Sequence, residues 1–175
     1  MQQMVNGLSR WAGHSSSWLL LFISALGLIG AALYFQYGMG LEPCIMCIYQ
    51  RTAMVGIMLS GLLVALFNTL PTRMIGFAGW GISSGWGWLL AREHVDILHA
   101  PNPFFANCEI VPNYPDWAPL HEWLPAMFEA KGDCLEDGWR YLDKGMAEWM
   151  VIIFAIYFVV CITFLIIRLA GSRRF

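Results

Sequence analysis

Of the 175 residues, 58% are hydrophobic and only 13% are charged, about half the charge of an ordinary soluble domain. Such a chain is too apolar to be disordered and too poor in charge to clothe a water-soluble globule. A net charge of −2 with no basic tract removes the electrostatic basis for nucleic-acid binding, and the lipid bilayer is the partner that fits.

The gaps between charges locate the spans in chain order. Arg10 to Glu42 encloses 31 uncharged residues, Arg51 to Arg73 encloses 21, Arg73 to Arg92 encloses 18 and Glu148 to Arg168 encloses 19. A helix crossing a bilayer core of about 30 Å needs roughly 20 apolar residues, and lipid tolerates no open backbone. The expected fold is an all-α membrane protein, a four-transmembrane-helix bundle forming a single domain over 1–175. Its spans are expected at about 17–37, 47–69, 74–92 and 147–168, with a long loop between the third and the fourth. The first apolar run exceeds a signal-peptide core of roughly 7–15 residues and reads as a retained span. Gly81-Ile82-Ser83-Ser84-Gly85 in the third span suits close helix packing.

With four spans, both termini and the 70–73 turn share one side. That side holds Arg10, Arg73, Arg168, Arg173 and Arg174 and no acid, whereas all 12 acids fall at or near the other. The excess of arginine places the first side in the cytoplasm, so the loops at about 38–46 and 93–146 are expected to be extracytoplasmic. Six of the eight prolines lie in 101–125, and the net charge over 98–144 is −5; so many prolines disfavour extended helix there. Trp117, Leu120, Leu124, Met127 and Phe128 recur near helical spacing. With Trp123 they read either as a short segment lying on the membrane surface or as plain packing of loop aromatics.

The chemistry falls to the cysteines. Cys44, Cys47, Cys108 and Cys134 map to the extracytoplasmic side, where a Gram-negative cell lets disulfides persist. Cys161 sits in the last span among Val159, Val160 and Ile162 and reads as a small hydrophobe. Cys44-Ile45-Met46-Cys47 follows Pro43 at the mouth of the second span. Two intervening residues permit a readily exchanged disulfide, and a helix N-terminus favours a thiolate. No βαβ pattern surrounds the motif, which argues against a thioredoxin fold, and no His follows Cys47, which argues against haem attachment. A zinc site of four thiolates would draw on Cys108 and Cys134, 26 positions apart, in an oxidising compartment, so no metal is expected. Static bracing disulfides are the competing reading, although closing a four-residue loop gains little. Arg51, one helical turn beyond Cys47, either snorkels to the headgroups or favours a thiolate through its charge. His94, at the exit of the third span, reaches the same level; the ordinary reading of a lone His is structural.

Pro43-Cys44-Ile45-Met46-Cys47-Ile48-Tyr49-Gln50-Arg51 resembles the first periplasmic loop and second helix of the DsbB family, quinone-reducing thiol oxidases of Gram-negative bacteria. The likeness continues through Glu93-His94, Asn107-Cys108, the Trp- and Pro-rich loop and Gly132-Asp133-Cys134, and spans nearly the whole chain. Gln50 departs from it, since Glu is the residue expected there. The resemblance implies a protein-disulfide:quinone oxidoreductase of the bacterial inner membrane, both termini cytoplasmic, that reoxidises a DsbA-like periplasmic thiol oxidase. It implies the disulfides Cys44–Cys47 and Cys108–Cys134, attack by the reduced partner at Cys108, and transfer from Cys134 to Cys44. Cys47 would then pass electrons to a membrane quinone, with ubiquinone expected before menaquinone. In the same resemblance Arg51 steadies the thiolate or the quinone oxygen, and His94 lines the quinone site. A relative serving one specialised DsbA-like partner is the runner-up. A non-enzymatic four-helix membrane protein with bracing disulfides is the alternative from another class.

Overall fold

The computed structural model describes residues 13–100, 112–135 and 138–171. Helix α1 (Ser15–Gly38) contains no charged side chain and gives way to a short turn. Gly40 makes that turn with φ +69, a left-handed conformation that costs a residue with a Cβ roughly 1–2 kcal/mol. Helix α2 (Ile45–Leu66) is capped by Cys44, whose sulphur accepts the Cys47 N–H at 3.3 Å. Helix α3 (Leu70–Leu98) opens on a reciprocal capping box between Thr69 and Thr72, with a proline in the first turn. Two single turns follow, α4 (Leu120–Trp123) and α5 (Pro125–Phe128). A two-stranded antiparallel hairpin, β1 (Arg140–Tyr141) and β2 (Lys144–Gly145), then leads into α6 (Met146–Gly171).

The all-α membrane architecture follows the apolar pattern. By length and composition α1, α2 and α6 are each able to cross a membrane. Helix α3 is long enough at 29 residues but less apolar, and it runs past the expected 74–92 at both ends. A charge such as Arg92 or Glu93 ends a lipid-compatible stretch, yet it does not end a helix. For the same reason α2 starts at Ile45 rather than 47, which puts Cys47 inside its first turn.

Each long helix packs on its neighbour in sequence: α1 on α2, α2 on α3, α3 on α6. The shared core includes Trp18, Ala25, Ile57, Val64, Trp80 and Phe154. Small residues set the spacing, as expected where lipid gives no hydrophobic drive between helices. At Gly61 a Cβ would stand 2.8 Å from the Phe22 backbone nitrogen of α1, and Gly87 of α3 lies beneath the Phe154 ring. Gly81 and Gly85 of the small-residue run face Cys161 and Phe158 on α6 at ordinary contact distances.

The long loop is tied to α2 by aromatic side chains. Tyr114 bonds Thr52 through its hydroxyl at 2.6 Å and stacks on His121, while Tyr49 accepts the Asn113 N–H at 2.8 Å. Met127 and Phe128 pack inward, whereas Trp117, Trp123 and Leu124 stay exposed. The two sequence readings of this segment thus divide between its two faces: one packs, and the other is left for solvent or lipid.

Candidate redox site

The site forms where the start of α2 meets the far end of α3. As the cap of α2, Cys44 presents its sulphur to the first turn, and the Cys47 sulphur lies 2.8 Å away. That exceeds the roughly 2.05 Å of a disulfide. The two sulphurs are therefore in contact without a covalent bond between them. The hydrogen bond to the Cys47 sulphur, helped by burial, pushes the Cys44 thiol up from its ordinary range.

His94 is 5% exposed on α3, with Nε2 3.6 Å from the Cys44 sulphur. Its Nδ1 lies 3.3 Å from Nε2 of Gln50, which is also buried. A donating amide makes Nδ1 the acceptor and leaves the ring proton on Nε2, facing Cys44. The structure thus brings His94 to the cysteine pair and gives Gln50 the role of orienting it. Among the described residues, Cys44, Cys47 and His94 place their ligand-type atoms within 4.8 Å of one another.

Arg51 does not snorkel. It is 5% exposed, and its Nη1 donates to Gln36 Oε1 at 2.9 Å and to the Met127 carbonyl at 2.6 Å. It also lies within electrostatic reach of Cys47. Its Nε is buried without a hydrogen-bond partner, an arrangement that costs about 1–3 kcal/mol unless a ligand accepts the proton. Gln36 and Gln50 escaped the sequence reading as site residues. The signal available was a polar side chain inside an otherwise apolar run.

Cys134 is fully buried, engaged in a disulfide, and packed in the same cluster as Cys44, Ile45, Met46 and Leu90. Its approach is fixed by backbone contacts: the N–H groups of Lys131 and Gly132 both donate to the Pro43 carbonyl at 3.0 Å. A Cβ on Gly132 would collide with the Glu42 carbonyl. Cys108, the expected partner of Cys134, lies outside the described residues. Cys161 is free and buried between helices, and its S–H donates to the Phe77 carbonyl at 3.8 Å.

A cleft of about 830 Å³ reaches from this cluster between α1 and α6. Leu28, Ile29 and Phe35 line one wall, Met150 and Ile153 the other, and Cys44, Cys47, Arg51 and His94 its head. One turn from Leu28 and Ile153, the Tyr157 hydroxyl donates to Ser24 Oγ at 2.9 Å and links α1 to α6. Trp139, stacked on Tyr141 and tilted against Phe35, stands at the mouth.

A helical membrane bundle with a Cys-x-x-Cys pair in sulphur contact, a further buried cysteine in disulfide linkage and a neighbouring imidazole defines a membrane thiol–disulfide oxidoreductase. Comparison with known proteins agrees. The family model described as "Disulfide bond formation protein DsbB" matches residues 14–164. The chain is 52% identical over 166 residues to Disulfide bond formation protein B of Pseudoalteromonas atlantica, covering 95% of this chain and 97% of that one. It is 50% identical over 159 residues to that of Psychromonas ingrahamii, covering 90% and 85%. Against that of Shewanella sp. strain W3-18-1 it is 44% identical over 174 residues, covering 97% of each. The chain belongs to the DsbB family of disulfide bond formation proteins.

Proposed function

We propose that this chain is a thiol oxidase of the bacterial inner membrane that reoxidises a DsbA-type dithiol of the periplasm and gives the two electrons to a membrane quinone. In this reading α3 also crosses the membrane as the third of four spans, both termini are cytoplasmic, and the loops at about 38–46 and 93–146 are periplasmic. The observation that carries it is the continuity of one path: Cys134 packs against Cys44, Cys44 touches Cys47, and the pair heads an apolar cleft. A pair of inert bracing disulfides has no use for a cleft of about 830 Å³ at one of its ends.

The relay is a chain of thiolate attacks. The partner thiolate attacks Cys108 of the Cys108–Cys134 disulfide, forming a mixed disulfide and releasing Cys134. Cys134 attacks Cys44 of the oxidised Cys44–Cys47 pair, and Cys47 leaves as the thiolate. The second partner thiol then resolves the mixed disulfide at Cys108. Cys108 in turn attacks Cys134 in the interloop disulfide, releasing Cys44 and leaving the pair reduced. Each attack is governed by access and by the leaving-group thiol. The charge of Arg51 beside Cys47 favours Cys47 as the sulphur that leaves and carries the electrons inward.

The residues present fit a quinone. The walls are aliphatic and aromatic, and the unpartnered Arg51 Nε and the Nε2 proton of His94 offer donors at the head. A bound quinone would supply the two-electron acceptor; ubiquinone is favoured over menaquinone. The disulfide form of a DsbA-type protein is a strong oxidant and its dithiol a correspondingly weak reductant, so a strong acceptor dissolved in lipid gives the reaction a sink.

The test is turnover with the purified chain, a reduced DsbA-type partner and a soluble ubiquinone. Quinone reduction matching partner oxidation is expected, and Cys134→Ser should accumulate a mixed disulfide between Cys108 and the partner. An adduct that requires Cys161 instead would falsify the relay.

A further inference from the structure

The reduced pair has a second chemistry that the relay does not use. Cys44, Cys47 and His94 form a Cys2His donor set, all three atoms within 4.8 Å of one another. Tetrahedral Zn²⁺ takes sulphur at about 2.3 Å and imidazole nitrogen at about 2.0–2.1 Å, which sets S···N near 3.6 Å and S···S near 3.8 Å. The Cys44–His94 separation is 3.6 Å as it stands. The sulphurs, 2.8 Å apart, need to open by roughly 1 Å, and Cys47 is incompletely buried, with its side chain on the cleft.

We infer that the reduced Cys44–Cys47–His94 cluster is a site for a thiophilic divalent cation, with Zn²⁺ as the fitting ion, and that occupation arrests the enzyme in its reduced state. Three protein ligands leave the fourth position open to water from the cleft. Gln50 completes the arrangement: with its amide turned, Oε1 accepts a proton on Nδ1 and frees Nε2 for the metal. Such an outer partner is the usual companion of a metal-bound imidazole. Glu42 and Asp133, both exposed, line the mouth of the same cleft and favour entry of a cation over the opposing charge of Lys131. Arg51 opposes the ion from the Cys47 side, and a pair of thiolates offsets it.

Binding and catalysis exclude each other by electron count. Loading two thiols with Zn²⁺ releases about two protons and transfers no electrons. Forming the Cys44–Cys47 disulfide consumes both thiolates and removes two of the three ligands. The oxidised protein is therefore blind to the ion, and the site is open only in the interval between partner oxidation and delivery of electrons.

The inference goes beyond the proposed relay and is tested without partner or quinone turnover. The full chain in lipid nanodiscs, carrying Cys108→Ser and Cys134→Ser to remove the other exchangeable thiols, is reduced and titrated with Zn²⁺ against a chromogenic indicator. One ion per chain is expected in the reduced protein and none after oxidation of the pair. Cys44→Ala and His94→Ala should each weaken binding at least tenfold, and bound Zn²⁺ should shield Cys47 from alkylation until a chelator is added. Equal uptake by reduced and oxidised protein would overturn the inference, as would full affinity in His94→Ala. If the relay fails its own test while these results hold, the metal site stands independently.

Discussion

Arg51 donates from one nitrogen to Gln36 and to the Met127 carbonyl and keeps its buried Nε uncommitted. Lysine would preserve the charge but not the planar fork, so Arg51→Lys should raise the quinone KM about tenfold, as expected for one lost charged hydrogen bond. The partner KM should be unchanged; steady-state kinetics with each substrate varied in turn checks both. The Cys44 thiol is held up by the bond to Cys47 and by burial. A raised thiol stays neutral until the pH climbs above its ordinary range, so alkylation of the reduced pair near neutral pH should fall on Cys47. In Cys47→Ser the main cause is removed, and labelling of Cys44 should begin at lower pH, as peptide mass spectrometry will show. The Cys44–Cys47 spacing and the turn to Arg51 are legible in sequence because they lie on one helix. His94, 50 positions after Cys44, is placed at that level by the end of its span and at the site by the family resemblance, whereas Gln36, on α1, is not legible, because tertiary packing alone makes it a neighbour of Arg51.

The loop that carries Cys134 is docked by backbone, and the docking depends on a missing side chain. In Gly132→Ala a Cβ would press on the Glu42 carbonyl and loosen both bonds to Pro43. Turnover with the partner should fall about tenfold or more, if two backbone hydrogen bonds at roughly 1 kcal/mol each are weakened. Quinone reduction driven by a small dithiol, which reaches Cys44–Cys47 directly, should continue unimpaired. Between helices, Gly87→Ala would crowd the Phe154 ring, and overpacking typically costs about 1–3 kcal/mol; a lowered Tm in detergent checks it. The hairpin before α6 had no sequence signal. Leu142 and Asp143 take positive φ at its turn, where Asn-Gly is the recognisable pair. The long helices were readable from their apolar runs, and their ends were not, because charges bound the lipid-compatible part of a helix rather than the helix.

Across the molecule the Cys-bearing loops gather at one end and the α2–α3 turn lies at the other, where Asn68 Oδ1 accepts from Arg73 Nε at 2.6 Å. A reporter fused after Phe175 should behave as cytoplasmic and one inserted near Asn113 as periplasmic; finding both on one side would sink the four-span arrangement. Class, bundle and cysteine chemistry were legible because composition and charge spacing act on the whole chain at once. The cleft between α1 and α6 was not, because it depends on two helices at opposite ends of the sequence standing apart.

That every long helix rests on its predecessor bears on how the molecule is made. A chain leaving the ribosome can seat each segment on the one already in place. The closing of α6 onto α3 comes last, and with it the Tyr157–Ser24 link that joins the two ends of the row. Until that moment the groove has a single wall. The cleft between α1 and α6 thus forms only when α6 is in place, and a nascent chain halted before α6 would carry Cys44 and Cys47 at the end of an open groove.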